Sequence, residues 1–202
     1  MAVESLKAID ELDIADPRSE GFAVLTDEGY RNKTLEDHYS IIQEISLHTG
    51  VPEKIRDHFE TARNLLLYAW HVYRFIPVAE FHAAASLEFA LREKTGKVRW
   101  GLKKLIRYAI DQGWVEDEGF SIHRKFVQMK HNERQMWKEF AKVTGDDINM
   151  EFHIPSYVEK LADSIPYLRN VVAHGSNSNG PGGYLKLLIC AEFINQVYHE
   201  EI

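Results

Sequence analysis

A single cysteine, Cys190, is the scarcest feature of this 202-residue chain. One thiol closes no internal disulfide and builds no multi-thiolate metal site, which fits a reducing compartment. No run approaches the ~18 uninterrupted apolar residues of a membrane span. The opening residues, Met1-Ala-Val-Glu-Ser-Leu-Lys7, carry an acid and no apolar stretch, unlike a secretory signal. Histidines are plentiful, but none forms a His-Glu-x-x-His pair and their spacings repeat no ligand pattern. A cytoplasmic protein with no membrane segment, no metal and no cofactor is therefore expected.

Acid exceeds base, with a formal net charge of −7. Spread evenly, that charge would disfavour a nucleic-acid partner. Residues 1–60, however, hold 6 basic and 14 acidic residues, while residues 92–142 hold 13 basic and 7 acidic. The acidity belongs to the N-terminal part, and the middle of the chain keeps the charge needed to attract a polyanion. A hydrophobic content of 45% marks a folded chain, long enough for one full core with an appendage.

Residues 1–33 show little periodicity and read as an N-terminal arm, with an extended piece at Gly21–Thr26. Thr34-Leu-Glu-Asp37 resembles a capping box, opening a helix with Leu35, Tyr39, Ile42, Ile45 and Leu47 inward and closed by Gly50. Pro52 to about Phe75 reads as a long helix, kinked or ended by Pro77. Val78–Lys94 follows, rich in alanine and closed by Thr95-Gly96, a composition that permits close helix packing. Within it Glu88 stands in an apolar run with Arg92 four residues on, an i,i+4 pair; alternatively it reaches across the bundle to another cation. Lys97–Ile110 contains Lys97, Arg99, Lys103, Lys104 and Arg107 and no acid, either a solvated helix face or a phosphate-tracking surface. Residues 123–143 form a further helix with Phe126, Met129, Met136, Trp137 and Phe140 as candidate core. The last helix, Tyr184 to about His199, turns Leu185, Leu188, Ile189, Phe193 and Val197 inward, with Cys190 as inert filler near that face. The fold class is all-α, an antiparallel helical bundle, divided into an acidic arm and helix (1–51) and a helical domain (52–202).

The stretch Ser164–Gly175 carries the candidate chemistry. Val158, Leu161, Ala162, Ile165, Leu168 and Val172 form the apolar stripe of a helix that runs through Pro166. Arg169 lies roughly 55° from the centre of that stripe, and His174 falls nearly opposite it. A guanidinium offers a planar fork that matches two phosphate oxygens, and an imidazole transfers protons in both directions near neutral pH. The two converge if the helix unwinds near Gly175 or if a second copy faces the first. The glycine-rich stretch after His174 suggests a mobile loop and matches no phosphate-binding fingerprint.

Arg169-Asn170-Val-Val-Ala-His174 resembles the Arg-(polar)-x3-His motif of HEPN domains, all-helical proteins many of which are metal-independent endoribonucleases. The alanine-rich helix around Ala83–Arg92 is similar in style to the early long helix of that family, and the likeness extends from about Pro52 to the C-terminus. The resemblance implies a homodimer in which two motifs face one another. It implies RNA as substrate, with His174 as general base, Arg169 as phosphate ligand and Asn170 as an orienting group; on the reading in which Glu88 reaches across the bundle, the cation it holds is Arg169. An antitoxin-like protein partner, as in toxin–antitoxin or phage-defence systems, belongs to the same picture. The alternative is a non-catalytic helical dimer that binds a protein or nucleotide and keeps the Arg-His pair structurally.

Overall fold

The computed structural model describes residues 5–144, 154–173 and 183–199. Among these residues there are eight α-helices, two short 3-10 turns and one two-stranded sheet. No described helix is long and apolar enough to cross a membrane.

The N-terminal segment begins with a 3-10 turn at Ile9–Glu11 and a one-turn helix, α1 (Pro17–Glu20). Asp16 caps α1 and also ties it to the bundle. Its amide donates to the Trp70 carbonyl at 2.9 Å, and its carboxylate accepts from the Tyr73 amide at 3.3 Å. The hydrogen bonds from Arg18 outweigh the opposing effect of burial and hold the Asp16 carboxyl down at about 2. The extended piece near Gly21 finds its partner directly downstream. Strands β1 (Ala23–Thr26) and β2 (Gly29–Asn32) form an antiparallel hairpin turned by Gly29, whose φ of 119° favours glycine.

Helix α2 (Leu35–Gln43) starts at the expected capping box, with the Thr34 hydroxyl accepting from the Asp37 amide and the Asp37 carboxylate accepting from the Thr34 amide. It ends well before Gly50, and its inward face differs from the expected one. His38 and Ile42 are buried, whereas Leu35 and Tyr39 are exposed.

The helix expected to run to about Phe75 ends at Tyr68, and the alanine-rich helix expected from Val78 begins earlier, at Phe75. Helix α3 (Glu53–Tyr68) stops early, and the chain turns through Ala69–Arg74 before α4 (Phe75–Thr95) begins. The break precedes Pro77 because that proline occupies the first turn of α4, where an amide has no intrahelical acceptor to lose. Gly96 closes α4 in the left-handed conformation, φ 69°.

Helix α4 is the central element, packed against α3, α8 (Gly183–Val197), α7 (Tyr157–Ala173) and α5 (Leu102–Asp111). Ala79, Ala83 and Ala90 are fully buried, which brings neighbouring backbones close. The core continues through Ile55 and Phe59 on α3, Leu105 and Ile106 on α5, and Phe193 and Ile194 on α8. It also includes Ile42, Ile45 and Val51 from the stretch before α3. Fully burying side chains of this size stabilises by ~1.5–3 kcal/mol each. On α8 the inward face is Leu187, Cys190, Ala191, Phe193, Ile194 and Val197; Leu185, expected inside, is exposed.

Helix α6 (Ser121–Thr144) corrects the sequence reading most. Phe126, Met129, Met136 and Phe140 are exposed rather than core, and Trp137 is only half covered. Only His123 on this helix is buried, and the Ser121 amide donates to the Glu192 carboxylate at 3.0 Å. An amphipathic stripe states that a face needs cover, not that the same chain supplies it.

Candidate nucleic-acid interface

Helix α7 carries Arg169 and Asn170 and is fixed at its start and along one buried face. At its start the Asp117 carboxylate accepts from the amides of Tyr157 (2.9 Å) and Val158 (2.8 Å). Burial works to raise the Asp117 carboxyl, but these amides, together with the His123 field and the Ser156 hydroxyl, hold it low. Along the helix Val158, Leu161, Ala162 and Ile165 are buried, and the helix runs through Pro166 as expected.

Arg169 emerges at the edge of this stripe, partly exposed. Its Nη2 lies 3.4 Å from Glu88 Oε2, and its Nη1 donates to Asn170 Oδ1 at 3.4 Å. Its guanidinium stands over the Phe81 ring, 5.4 Å from the centroid. Glu88 also pairs with Arg92, so both contacts considered for it from the sequence are present at once. With only 8% of its surface exposed, Glu88 is a buried anion shared by two guanidinium groups.

Beside Arg169 opens a groove of about 710 Å³, lined by Glu88 from α4, Lys103, Lys104 and Arg107 from α5, and Arg169 and Asn170 from α7. The two basic features read separately from the sequence therefore share one concavity. Trp100 and Tyr108 also line it, in an edge-to-face pair 5.7 Å apart, with the Lys104 ammonium 4.0 Å from the Trp100 ring centroid. Neither aromatic is among the residues expected at the site; their alternation with Lys103, Lys104 and Arg107 is the signal for them in the sequence.

Two expectations for the basic segment need correction. The helix begins at Leu102, not Lys97, because Gly101 is extended (φ −76°, ψ 159°). Lys97 and Arg99 thus sit in the preceding turn and do not line the groove; Lys97 stands over the Trp100 ring at 4.8 Å. Nor is the segment free of acid in space. Asp163 on α7 pairs with Lys103 at 2.8 Å and Arg107 at 3.2 Å, and those hydrogen bonds hold its carboxyl below the ordinary range.

A second buried acid, Glu80, was not singled out from the sequence. It lies on α4 and pairs with Lys186 of α8 at 2.5 Å, while burial pushes its carboxyl upward. Burial, helped by the Glu80 charge, pushes the Cys190 thiol up to about 12, so it is not a ready nucleophile. Among the described residues no three His, Cys, Asp or Glu side chains are grouped to hold a metal ion. His174 and the glycine-rich stretch that follows it lie outside the described residues. No family model, curated protein or solved structure matches this chain.

Proposed function

We propose that this chain is a metal-independent endoribonuclease of HEPN-like type that acts as a homodimer. One observation carries the reading: Arg169 and Asn170 open onto the same groove as Lys103, Lys104 and Arg107, beside the aromatic faces of Trp100 and Tyr108. Such a groove suits single-stranded RNA, with cations tracking the phosphates and rings stacking on bases.

In this mechanism His174 takes the proton from an RNA 2′-hydroxyl. The freed oxygen attacks the adjacent phosphorus, the bond to the 5′-oxygen breaks, and that oxygen takes a proton from water to leave as a hydroxyl, while the His174 imidazolium returns its proton to solvent. Arg169 neutralises the charge that builds on the phosphate, and Glu88 fixes the direction of its fork. His174 follows Arg169 by five positions, about 140° around a continuous helix. A second copy supplying His174 across the motif helix satisfies that geometry.

The test is purified protein with a mixed RNA pool in EDTA, compared with His174→Ala. Cleavage is expected from the wild type alone, reduced ~10²–10⁴-fold in the variant. The products carry 2′,3′-cyclic phosphate and 5′-hydroxyl ends, and DNA is spared. Equal cleavage by both proteins would falsify the assignment of His174. RNA binding without cleavage points instead to the non-catalytic helical dimer, in which Glu88 and Asp163 hold the cations for structure alone.

A further inference from the structure

At the other end of α4 a second cavity, about 240 Å³, lies between the hairpin, α2, the end of α3 and the start of α8. Its walls are largely apolar, with Phe22, Ile41, Trp70 and Tyr73 prominent. Beside Ser19, whose hydroxyl donates to the Ala69 carbonyl at 3.4 Å, the lining residues Lys33, His38 and Tyr184 are joined in a chain. Lys33 meets the Tyr184 hydroxyl, and that hydroxyl meets His38 Nδ1. His38 Nε2 lies 2.9 Å from the Leu66 carbonyl oxygen and 3.2 Å from that of Leu67.

The donors in this chain can be assigned. A carbonyl oxygen only accepts, so Nε2 carries the hydrogen. Burial lowers the pKa of His38 and favours the neutral ring, whose Nδ1 then accepts from the Tyr184 hydroxyl. The tyrosine oxygen in turn accepts from the Lys33 ammonium. The tyrosine proton and the histidine are thereby committed within the protein, whereas two of the three Lys33 hydrogens are not used by this chain of bonds.

Lys33 is held in place at its backbone. Its amide donates to the Phe22 carbonyl at 2.7 Å, and the next residue caps α2. Its ammonium stands 4.2 Å from the Tyr184 ring centroid. Among the described residues no carboxylate forms an ion pair with it. Burial lowers the Lys33 pKa, and Asp37, whose field acts against that, is engaged by Arg31. Among the described residues the result is a half-buried cation with no carboxylate in ion-pair contact, on the wall of a small cavity lined by aromatic rings.

We infer that this cavity binds a small planar aromatic carboxylate, its ring between Phe22, Trp70 and Tyr73 and its carboxylate on Lys33. One cation matches a monoanion better than a phosphate dianion. The volume lies below the ~300–1,000 Å³ of sites for drug-sized ligands, which limits the body to one or two rings. The site is separate from the Arg169 groove and does not depend on the ribonuclease reading.

Titration calorimetry of the full chain with 2-naphthoate, and with the isosteric neutral 2-naphthamide, tests the inference. The carboxylate is expected to bind with a sub-millimolar Kd and the amide at least about tenfold more weakly, the usual worth of a charge-assisted hydrogen bond. Lys33→Met should lose a similar factor, while Lys33→Arg, which keeps the charge, should retain most of the affinity. Circular dichroism checks that both variants are folded. Absence of naphthoate binding to the wild type, or equal binding of carboxylate and amide, overturns the proposal. So does undiminished naphthoate binding by folded Lys33→Met.

Discussion

The Glu88 carboxylate bridges two helices by holding Arg92 of its own helix through one oxygen and Arg169 of α7 through the other, the latter at 3.4 Å. Both guanidinium groups are roughly one-third exposed, while the carboxylate side chain is 10% exposed. The anion is therefore the most desolvated member, and its loss leaves two cations facing one another.

Glu88→Gln removes that charge at nearly constant volume. Breaking a fully buried pair costs ~3–5 kcal/mol, but water screens both arginines here, so a loss of about 1–2 kcal/mol is expected. Urea denaturation of the two proteins measures it. A midpoint unchanged from wild type would show that the bridge contributes nothing to stability.

Arg169→Lys keeps the charge and loses the planar fork. Under the proposed ribonuclease chemistry, the variant binds RNA nearly as well as wild type while its cleavage rate falls by at least about tenfold, the rate equivalent of ~1.4 kcal/mol. Single-turnover cleavage alongside equilibrium binding separates the two effects. Undiminished cleavage would remove bidentate phosphate contact from the mechanism.

Phe120 and Phe140 test where the core ends. Phe120 is fully buried against Phe193 and Tyr157, and Phe140 is 52% exposed on α6. Phe120→Ala should cost ~3–5 kcal/mol, and Phe140→Ser less than ~0.5 kcal/mol. Thermal melts at low protein concentration decide the matter, and a large loss for Phe140→Ser would mean that α6 is covered in solution.

Helix existence was legible in the sequence because apolar periodicity and end signals agreed. Thr34 and Asp37 form the capping box, Gly96 takes the left-handed conformation, and the α7 stripe is buried at Val158, Leu161, Ala162 and Ile165. Periodicity measures only what one segment would bury if covered, so it missed the exposure of α6. Charge counted along the chain likewise missed Asp163, which reaches Lys103 and Arg107 from a helix more than fifty residues away. The union of the Arg169 motif with the basic helix was not legible at all, since it depends on α5 and α7 packing side by side.

Stability should fall as pH is lowered from 7.5 to 5.5. Burial depresses His38 below its ordinary value of 6.5, and burial together with the neighbouring His82 does the same for His58. The unfolded chain takes up protons below 6.5 that the native chain resists, so the stabilisation is present above 6.5 and is lost toward the lower folded values. Asp16 does not enter this window, because its contribution persists until pH falls below 3.8. Glu80 acts in the opposite sense, since burial raises its carboxyl above 4.5. The readout is therefore the difference between wild type and His38→Asn. The variant should show the smaller change in denaturation midpoint between the two pH values, and an equal change in both proteins would exclude His38 as a source.

Under the proposed ribonuclease reading, Asp163 sets how much of the basic groove is available to a polyanion. It pairs with Lys103 and Arg107 at once, so a phosphate approaching either cation competes with a carboxylate already in place. Asp163→Asn removes that competitor. It should tighten binding of a short single-stranded RNA severalfold at low salt, with little effect on folding because the side chain is 60% exposed. Each additional phosphate contact steepens the slope of log K against log salt by ~0.7 for a single strand. The slope should therefore become more negative by about that amount per cation released. Lys104, which stands over Trp100, tests the same groove from the other side. Lys104→Ala should weaken binding and flatten the slope by about 0.7 if it contacts one phosphate. Fluorescence anisotropy with labelled RNA across a salt series gives both slopes. If neither substitution moves affinity or slope, RNA does not bind along α5.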